Sequence, residues 1–157
     1  MSALDVHGAD LVVMPGHVAQ FFLGDDEWHE ALIAVRNALA LGGRLAFETR
    51  NPAARAWESW TPAETRRTLS DPSAGGIETW SEVADVAREV VTTTLHHHFA
   101  RTGEHVTATT ALRFRTPEQL GASLSAAGLG VEDRYGGWDG HPFTDTDEEL
   151  VLVAVRR

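Results

Sequence analysis

The sequence predicts a mixed α/β fold: a partial parallel sheet with an antiparallel β-hairpin cap inserted in its middle. Three observations carry this reading. Residues 10–51 run from a short apolar stretch through an amphipathic helical stretch to a second apolar stretch, the pattern of a βαβ unit. Residues 77–115 are instead rich in valine and threonine around a glycine-containing turn, the pattern of a hairpin. After Thr116 the chain returns to a helix and two further strands.

In order, Asp10-Leu-Val-Val-Met14 is nearly all apolar, as expected of a strand covered on both faces in a parallel sheet, and it runs into Pro15-Gly16-His17. A helix is predicted over Asp25–Leu41. Asp25 and Asp26 stand at its N-cap and first turn, and Trp28, Leu32, Val35 and Leu39 form one buried stripe. Gly42-Gly43 takes the left-handed conformation that ends such a helix, and Arg44–Thr49 is the next parallel strand. Asn51 to about Ser73, with Pro52, Pro62, Pro72, Trp57 and Trp60, reads as a loop with helical turns. Arg88–Phe99 and Glu104–Phe114 flank Arg101-Thr-Gly103 as a hairpin, joined by a third strand at Ile77–Val83. Thr116-Pro117-Glu-Gln119 is a capped helix start, Leu120, Leu124 and Ala127 give the inner face, and Gly128 ends the helix. Val131–Tyr135 and Leu150–Val155 are the closing strands. The Gly128-Leu-Gly130 between helix and strand lacks a later glycine and reads as a simple turn, not a nucleotide fingerprint.

The chain has 157 residues, 43% of them hydrophobic, enough for one core and a single domain over residues 1–157, with residues 52–115 as its inserted cap or lid. It has no cysteine, which excludes disulfides and cysteine-ligated metal. No apolar run is long enough for a membrane span, and the expected location is the cytoplasm. The net charge is −10, all 13 basic residues being arginine, and this acidity argues against a nucleic-acid footprint.

The segment Asp10-Leu-Val-Val-Met-Pro-Gly-His-Val-Ala-Gln20, followed by Ala-Leu-Ala-Leu-Gly-Gly-Arg-Leu-Ala-Phe-Glu-Thr-Arg-Asn51, resembles the second half of a class I S-adenosylmethionine-dependent methyltransferase. The resemblance implies a partial Rossmann-like sheet ending in an antiparallel strand. It also implies that the glycine-rich turn and the acidic residue that hold most of the methyl donor precede Asp10 in the family; only nine residues stand there. The expectation is thus a truncated methyltransferase domain, with S-adenosylmethionine as its cofactor and the cofactor's main cradle missing. The strand at Asp10–Met14 loses its family neighbour and becomes an open edge, which predicts a homodimer or hetero-complex through it.

The resemblance sets the loop after the first strand near the donor's reactive sulfonium. Pro15, Gly16 and Gln20 are expected on the cofactor side, and His17 is either a base for an acceptor hydroxyl or amine or a loop residue that shapes the pocket. Glu48, Arg50 and Asn51 end the next strand on the same rim and are candidates for orienting the acceptor; Arg50 can equally pair with Glu48 or another carboxylate. Trp57, Trp60, Trp80 and Trp138 lie in irregular or capping segments, as ligand-pocket walls or as cap packing, with Trp57, Trp60 and Trp138 the substrate-site candidates. Trp28 belongs to the core. His96-His97-His98 reads as a solvated strand face before a metal site, with His105 across the hairpin as the residue that would join His96 and His98. Asp145-Thr-Asp-Glu-Glu149 reads as a solvated loop.

Two functions follow. The first is methyl transfer to a small-molecule acceptor, by this chain or by a complex in which it is the acceptor-binding half. The second is a methyltransferase-like fold without donor binding, serving as a small-molecule binding or assembly module or as a donor-independent enzyme such as a cyclase.

Overall fold

In chain order the elements are β1 (Ala9–Met14), α1 (Asp25–Ala38), β2 (Leu39–Arg50), α2 (Pro62–Thr65), β3 (Arg67–Leu69), β4 (Ile77–Ala87), β5 (Val90–Phe99), β6 (His105–Arg113), α3 (Pro117–Ala126), β7 (Leu129–Tyr135) and β8 (Glu149–Arg156), with single 3₁₀ turns at Val18–Phe21, Pro52–Ala54 and Ala56–Ser59. The computed structural model describes residues 8–70 and 75–157. Pro72 and Ser73, at the end of the expected loop, lie outside the described residues. The chain divides into two units, Met1–Ala54 with Arg113–Arg157, and Arg55–Leu112.

The first unit is built on a four-stranded sheet in the order β1-β2-β8-β7. β1 and β2 are parallel, and β8 lies antiparallel between β2 and β7, which is the mixed α/β sheet expected from the sequence. Val12 and Met14 pair with Leu45 and Phe47, and these side chains point to the helices. There Leu45, Phe47, Leu150 and Leu152 bury against Trp28 and Leu32 of α1 and Leu120 and Leu124 of α3. Each such side chain removed from water contributes about 1.5–3 kcal/mol. Trp28 keeps its polar end satisfied by donating Nε1–H to Ser123 Oγ at 2.9 Å, and its ring meets Phe22 at a tilt and Phe47 edgewise, centroids 5.6 and 5.7 Å away.

Three local expectations are corrected. β1 is not covered on both faces: Leu11 and Val13, which alternate to the side away from the helices, are 57% and 52% exposed. The N-cap of α1 is Gly24, not Asp25, so that Asp25, Asp26 and Glu27 all fall in the first turn. Arg113 anchors this end, pairing with Asp25 at 2.7 Å and donating to the Leu23 carbonyl at 2.8 Å. The helix also stops earlier than predicted, at Ala38, and Leu39 already begins β2. Gly42-Gly43 therefore lies inside a strand, where β1 and β2 slip register between Ala9 and Leu11. Gly42 does take the expected left-handed conformation, φ 78°, but inside the strand, and a Cβ on Gly43 would stand 2.7 Å from the Ala9 carbonyl oxygen. The start of α3 is as predicted, with reciprocal bonds between Thr116 and Gln119 and Pro117 at the first helical position.

The second unit is a sheet in the order β3-β4-β5-β6. β3 pairs with β4, and β4 with β5, antiparallel. β5 and β6 are joined through Gly103, whose N–H bonds the Phe99 carbonyl at 2.8 Å. β4 extends to Ala87, beyond the predicted Val83, because a register shift between Val83 and Asp85 lets pairing with β5 continue past the irregularity. The three-residue strand β3 has no periodic signal long enough to be read from sequence.

Candidate functional site

The carboxyl ends of β1 and β2 and the amino end of β8 meet on one rim of the first unit, because the antiparallel pairing of β8 sets Glu149 opposite Arg50. The loop leaving β1 turns sharply: Gly16 has φ 75° and His17 has φ 59°. A left-handed backbone at a non-glycine residue costs about 1–3 kcal/mol and persists only where surrounding contacts hold it. Here they do. Gly16 N–H donates to Glu48 Oε1 at 2.6 Å, and His17 Nε2 lies 2.8 Å from Glu149 Oε2. A carboxylate only accepts, so Nε2 carries the imidazole proton and the Nδ1 lone pair is left for another partner.

Around this pair the rim is densely hydrogen-bonded. Glu48 accepts from Gly16 on one oxygen and from the Trp138 indole N–H on the other, so it ties the β1 loop to the Trp138 loop. Arg50 donates to Gln20 Oε1 at 2.9 Å. Burial pulls the Arg50 guanidinium below its ordinary pKa, while the charges of Glu149 and Glu48 oppose that shift. Gln20 is fully buried, and its Nε2 finds no acceptor among the described residues. Asn51 is buried and serves the loop before β8, donating to the Asp145 and Asp147 carbonyls at 3.0 and 2.8 Å and accepting from Ala53 N–H at 3.1 Å.

The structure thus brings His17, Gln20, Glu48, Arg50 and Trp138 together, and adds Glu149. The acidic run containing Glu149 is not simply a solvated loop: Glu149 opens β8 and is half-buried against His17, and Asp147 accepts from Thr144 N–H at 2.6 Å. The signal for Glu149 was available in outline, since a final antiparallel strand beside Arg44–Thr49 must start level with the end of that strand.

Trp57 and Trp60 line the wall of a cavity of about 510 Å³ within the Arg55–Leu112 unit, together with Pro62, Glu82, Val83 and Val86. On the sheet of that unit the Trp80 ring stacks on His96 and His105 at 4.8 and 5.4 Å, and Arg66 sits 4.3 Å over the Trp80 ring. His96 and His105 do meet across β5 and β6, with Nδ1 and Nε2 3.0 Å apart, and His96 Nε2 reaches Glu82 at 3.0 Å. Among the described residues no group of three or more histidine, aspartate or glutamate side chains is arranged to hold a metal ion.

The sheet order, the crossover helix and the antiparallel penultimate position of β8 define the fold of class I S-adenosylmethionine-dependent methyltransferases. The chain is similar over 99% of its length to the CcbJ methyltransferase from Streptomyces caelestis, with a TM-score of 0.76 and 18% identity, and covers 60% of that protein. It is similar over 98% of its length to the sugar N-methyltransferase KedS8 from Streptoalloteichus, covering 59% of it, at TM-score 0.72 and 19% identity. CalS10, an amino pentose methyltransferase from Micromonospora echinaspora solved with S-adenosylmethionine bound, matches all of the chain over 61% of its own, at TM-score 0.69 and 19% identity. The chain therefore spans about three fifths of the length of these structures. No family model and no curated protein matches the sequence.

Gly128–Gly130 turns α3 into β7, and among the described residues β1 pairs with β2 alone.

Proposed function

We propose that this chain handles the acceptor in S-adenosylmethionine-dependent methylation of a small molecule, with His17 as the base. The observation that carries this reading is the His17–Glu149 pair at the carboxyl end of β1, on a methyltransferase fold. Glu149 holds the Nε2–H tautomer, so Nδ1 takes the proton from the acceptor amine or hydroxyl, and the imidazolium that forms is stabilised by the carboxylate it already touches. Arg50 and the half-exposed ring of Trp138 orient the acceptor, and Glu48 and Asn51 keep the loops that carry these groups in place. Pro15, Gly16 and Gln20 form the cofactor side of the rim. The donor, when bound, supplies the electrophilic methyl group.

Amines are the favoured acceptors, because two of the similar structures are described as acting on an amino pentose and on a sugar nitrogen. The location proposed is the cytoplasm, for which the support is only that no helix among the described residues is long and apolar enough to cross a membrane. The free edge of β1 is where a second copy, or the donor-binding part of a complex, pairs.

The test is radiolabelled methyl transfer to an amine panel by the wild-type chain, in the presence of any protein that co-purifies. His17→Ala should lower kcat about 10²–10⁴-fold, the usual contribution of a positioned base. Glu149→Gln should lower kcat less; unchanged kcat in both variants would remove the dyad from the mechanism. A second reading is that the chain is a binding or assembly module, or a donor-independent enzyme such as a cyclase. Calorimetric titration with S-adenosylhomocysteine separates the two, since this second reading requires no heat of binding under any condition.

A further inference from the structure

We propose that the cavity of the Arg55–Leu112 unit is a binding site for a small organic cation, an amine carried on an apolar body. Its volume, about 510 Å³, is that of a site for a compact organic molecule. Two indoles, Trp57 and Trp60, and the aliphatic side chains of Val83 and Val86 wall it. Its charged members are one arginine and two glutamates, so the lining carries one net negative charge (+1 − 2 = −1). Arg55 is already paired with Glu58 at 2.8 Å, and its guanidinium lies 5.9 Å from the Trp57 ring centroid. Glu58 is thus matched by a full cation, whereas Glu82 meets His96 through Oε1 and keeps its second oxygen for a ligand. Indole faces attract cations through the ring quadrupole, and a carboxylate beside them gives the cation a counter-charge, so this combination selects ammonium over neutral or anionic groups.

Glu82 is also held in place before any ligand arrives. Its Oε1 is 3.0 Å from His96 Nε2, and His96 Nδ1 is 3.0 Å from His105 Nε2. In the neutral rings the order of donors is therefore fixed: His105 donates to His96, and His96 donates to Glu82. Trp80 stacks on both rings and limits their rotation. Ordering a carboxylate in advance removes part of the entropy cost of binding. The strand irregularity between Val83 and Asp85 falls within the same wall, where a bulge re-aims side chains. Binding at this site does not rest on the proposed methyl transfer.

The experiment is titration of the intact chain near neutral pH with 2-phenylethylamine and its neutral analogue 2-phenylethanol, followed by calorimetry and tryptophan fluorescence. The amine should bind at one site at least about tenfold tighter than the alcohol, as a cation–π and ion-pair contribution of this kind implies. Glu82→Gln should remove most of that difference. Trp57→Ala should weaken both ligands, and Glu30→Gln on α1 should change neither. Circular dichroism checks that each variant is folded. Equal affinity for amine and alcohol, an unchanged preference in Glu82→Gln, or no saturable binding up to about 10 mM would overturn the inference. Amine binding that survives His17→Ala, with no methyl transfer by any form, would sustain this site and overturn the proposed methylation instead.

Discussion

At the scale of single residues, Glu149 decides the chemistry available to His17. Without a carboxylate at 2.8 Å, the imidazole would have no fixed tautomer; with it, one nitrogen is committed and the other is released toward solvent and ligand. His141 is a second histidine under carboxylate control, its Nδ1 2.6 Å from Asp139 and its Nε2 3.4 Å from Asp147. The hydrogen bond that His141 donates to Asp139 raises the His141 pKa above the ordinary histidine value and lowers that of Asp139. The Asp147 pKa is lowered chiefly by the Thr144 N–H, with His141 adding to it. A raised histidine contributes stability fully below its unfolded value, about 6.5, and loses it as pH rises through the folded value. The two aspartates contribute above about 3.9 and lose it as pH falls through their lowered values. The loop before β8 should accordingly be tightest in the acidic window between these limits. An NMR titration of the His141 ring should give a pKa above that of an unstructured peptide; a value at or below it would show that the pair does not form in solution.

At the scale of elements, two substitutions test why the strands and helices sit where they do. Gly43→Ala places a Cβ 2.7 Å from the Ala9 carbonyl oxygen and 3.0 Å from that of Ala40, both backbone atoms with little room to yield. Overpacking of this kind costs about 1–3 kcal/mol. The variant should show a melting point several degrees lower and faster hydrogen exchange along β1, whereas normal exchange there would mean that the β1–β2 approach is looser than described. Thr116→Ala removes the cap bond to Gln119 N–H and should cost about 1 kcal/mol, or about 2–4 °C in melting temperature for a chain of this size. The capping box of α3 was legible because its chemistry is local, four residues speaking to each other. The end of α1 was not: Leu39 fits the helical stripe by spacing, but pairing of β2 with β1 begins at that residue and overrides the periodicity. Burial of Leu39 was correctly expected, in the wrong kind of backbone.

At the scale of the whole molecule, the prominent feature is the outer edge of β1. Among the described residues β1 has no strand on its outer side, and Leu11 and Val13 are exposed beside that edge, the kind of surface that pairs with another strand. If the proposed pairing occurs, sedimentation velocity at micromolar concentration should reveal a dimer or a complex, and the double substitution Leu11→Lys, Val13→Lys should return a monomer. A wild-type chain that is already monomeric, with β1 protected from exchange, would show that the edge is covered from within the chain.

The sequence by itself determined the order of the longer elements, the mixed α/β pattern, the core stripe of Trp28 and Leu32, and the placement of His17, Glu48 and Arg50 at strand ends. Each of these follows from periodicity, turn chemistry or position at a strand end, which are properties of a few neighbouring residues. Only the tertiary structure decided that Glu149 meets His17, 132 positions away in the chain. It alone showed that Trp57 and Trp60 wall a cavity with Glu82, and that Glu48 ties Gly16 to Trp138. These contacts depend on strand register and loop path, and a register shift of one residue, as at Val83 and Asp85, changes which side chains meet without leaving a mark in the local sequence pattern.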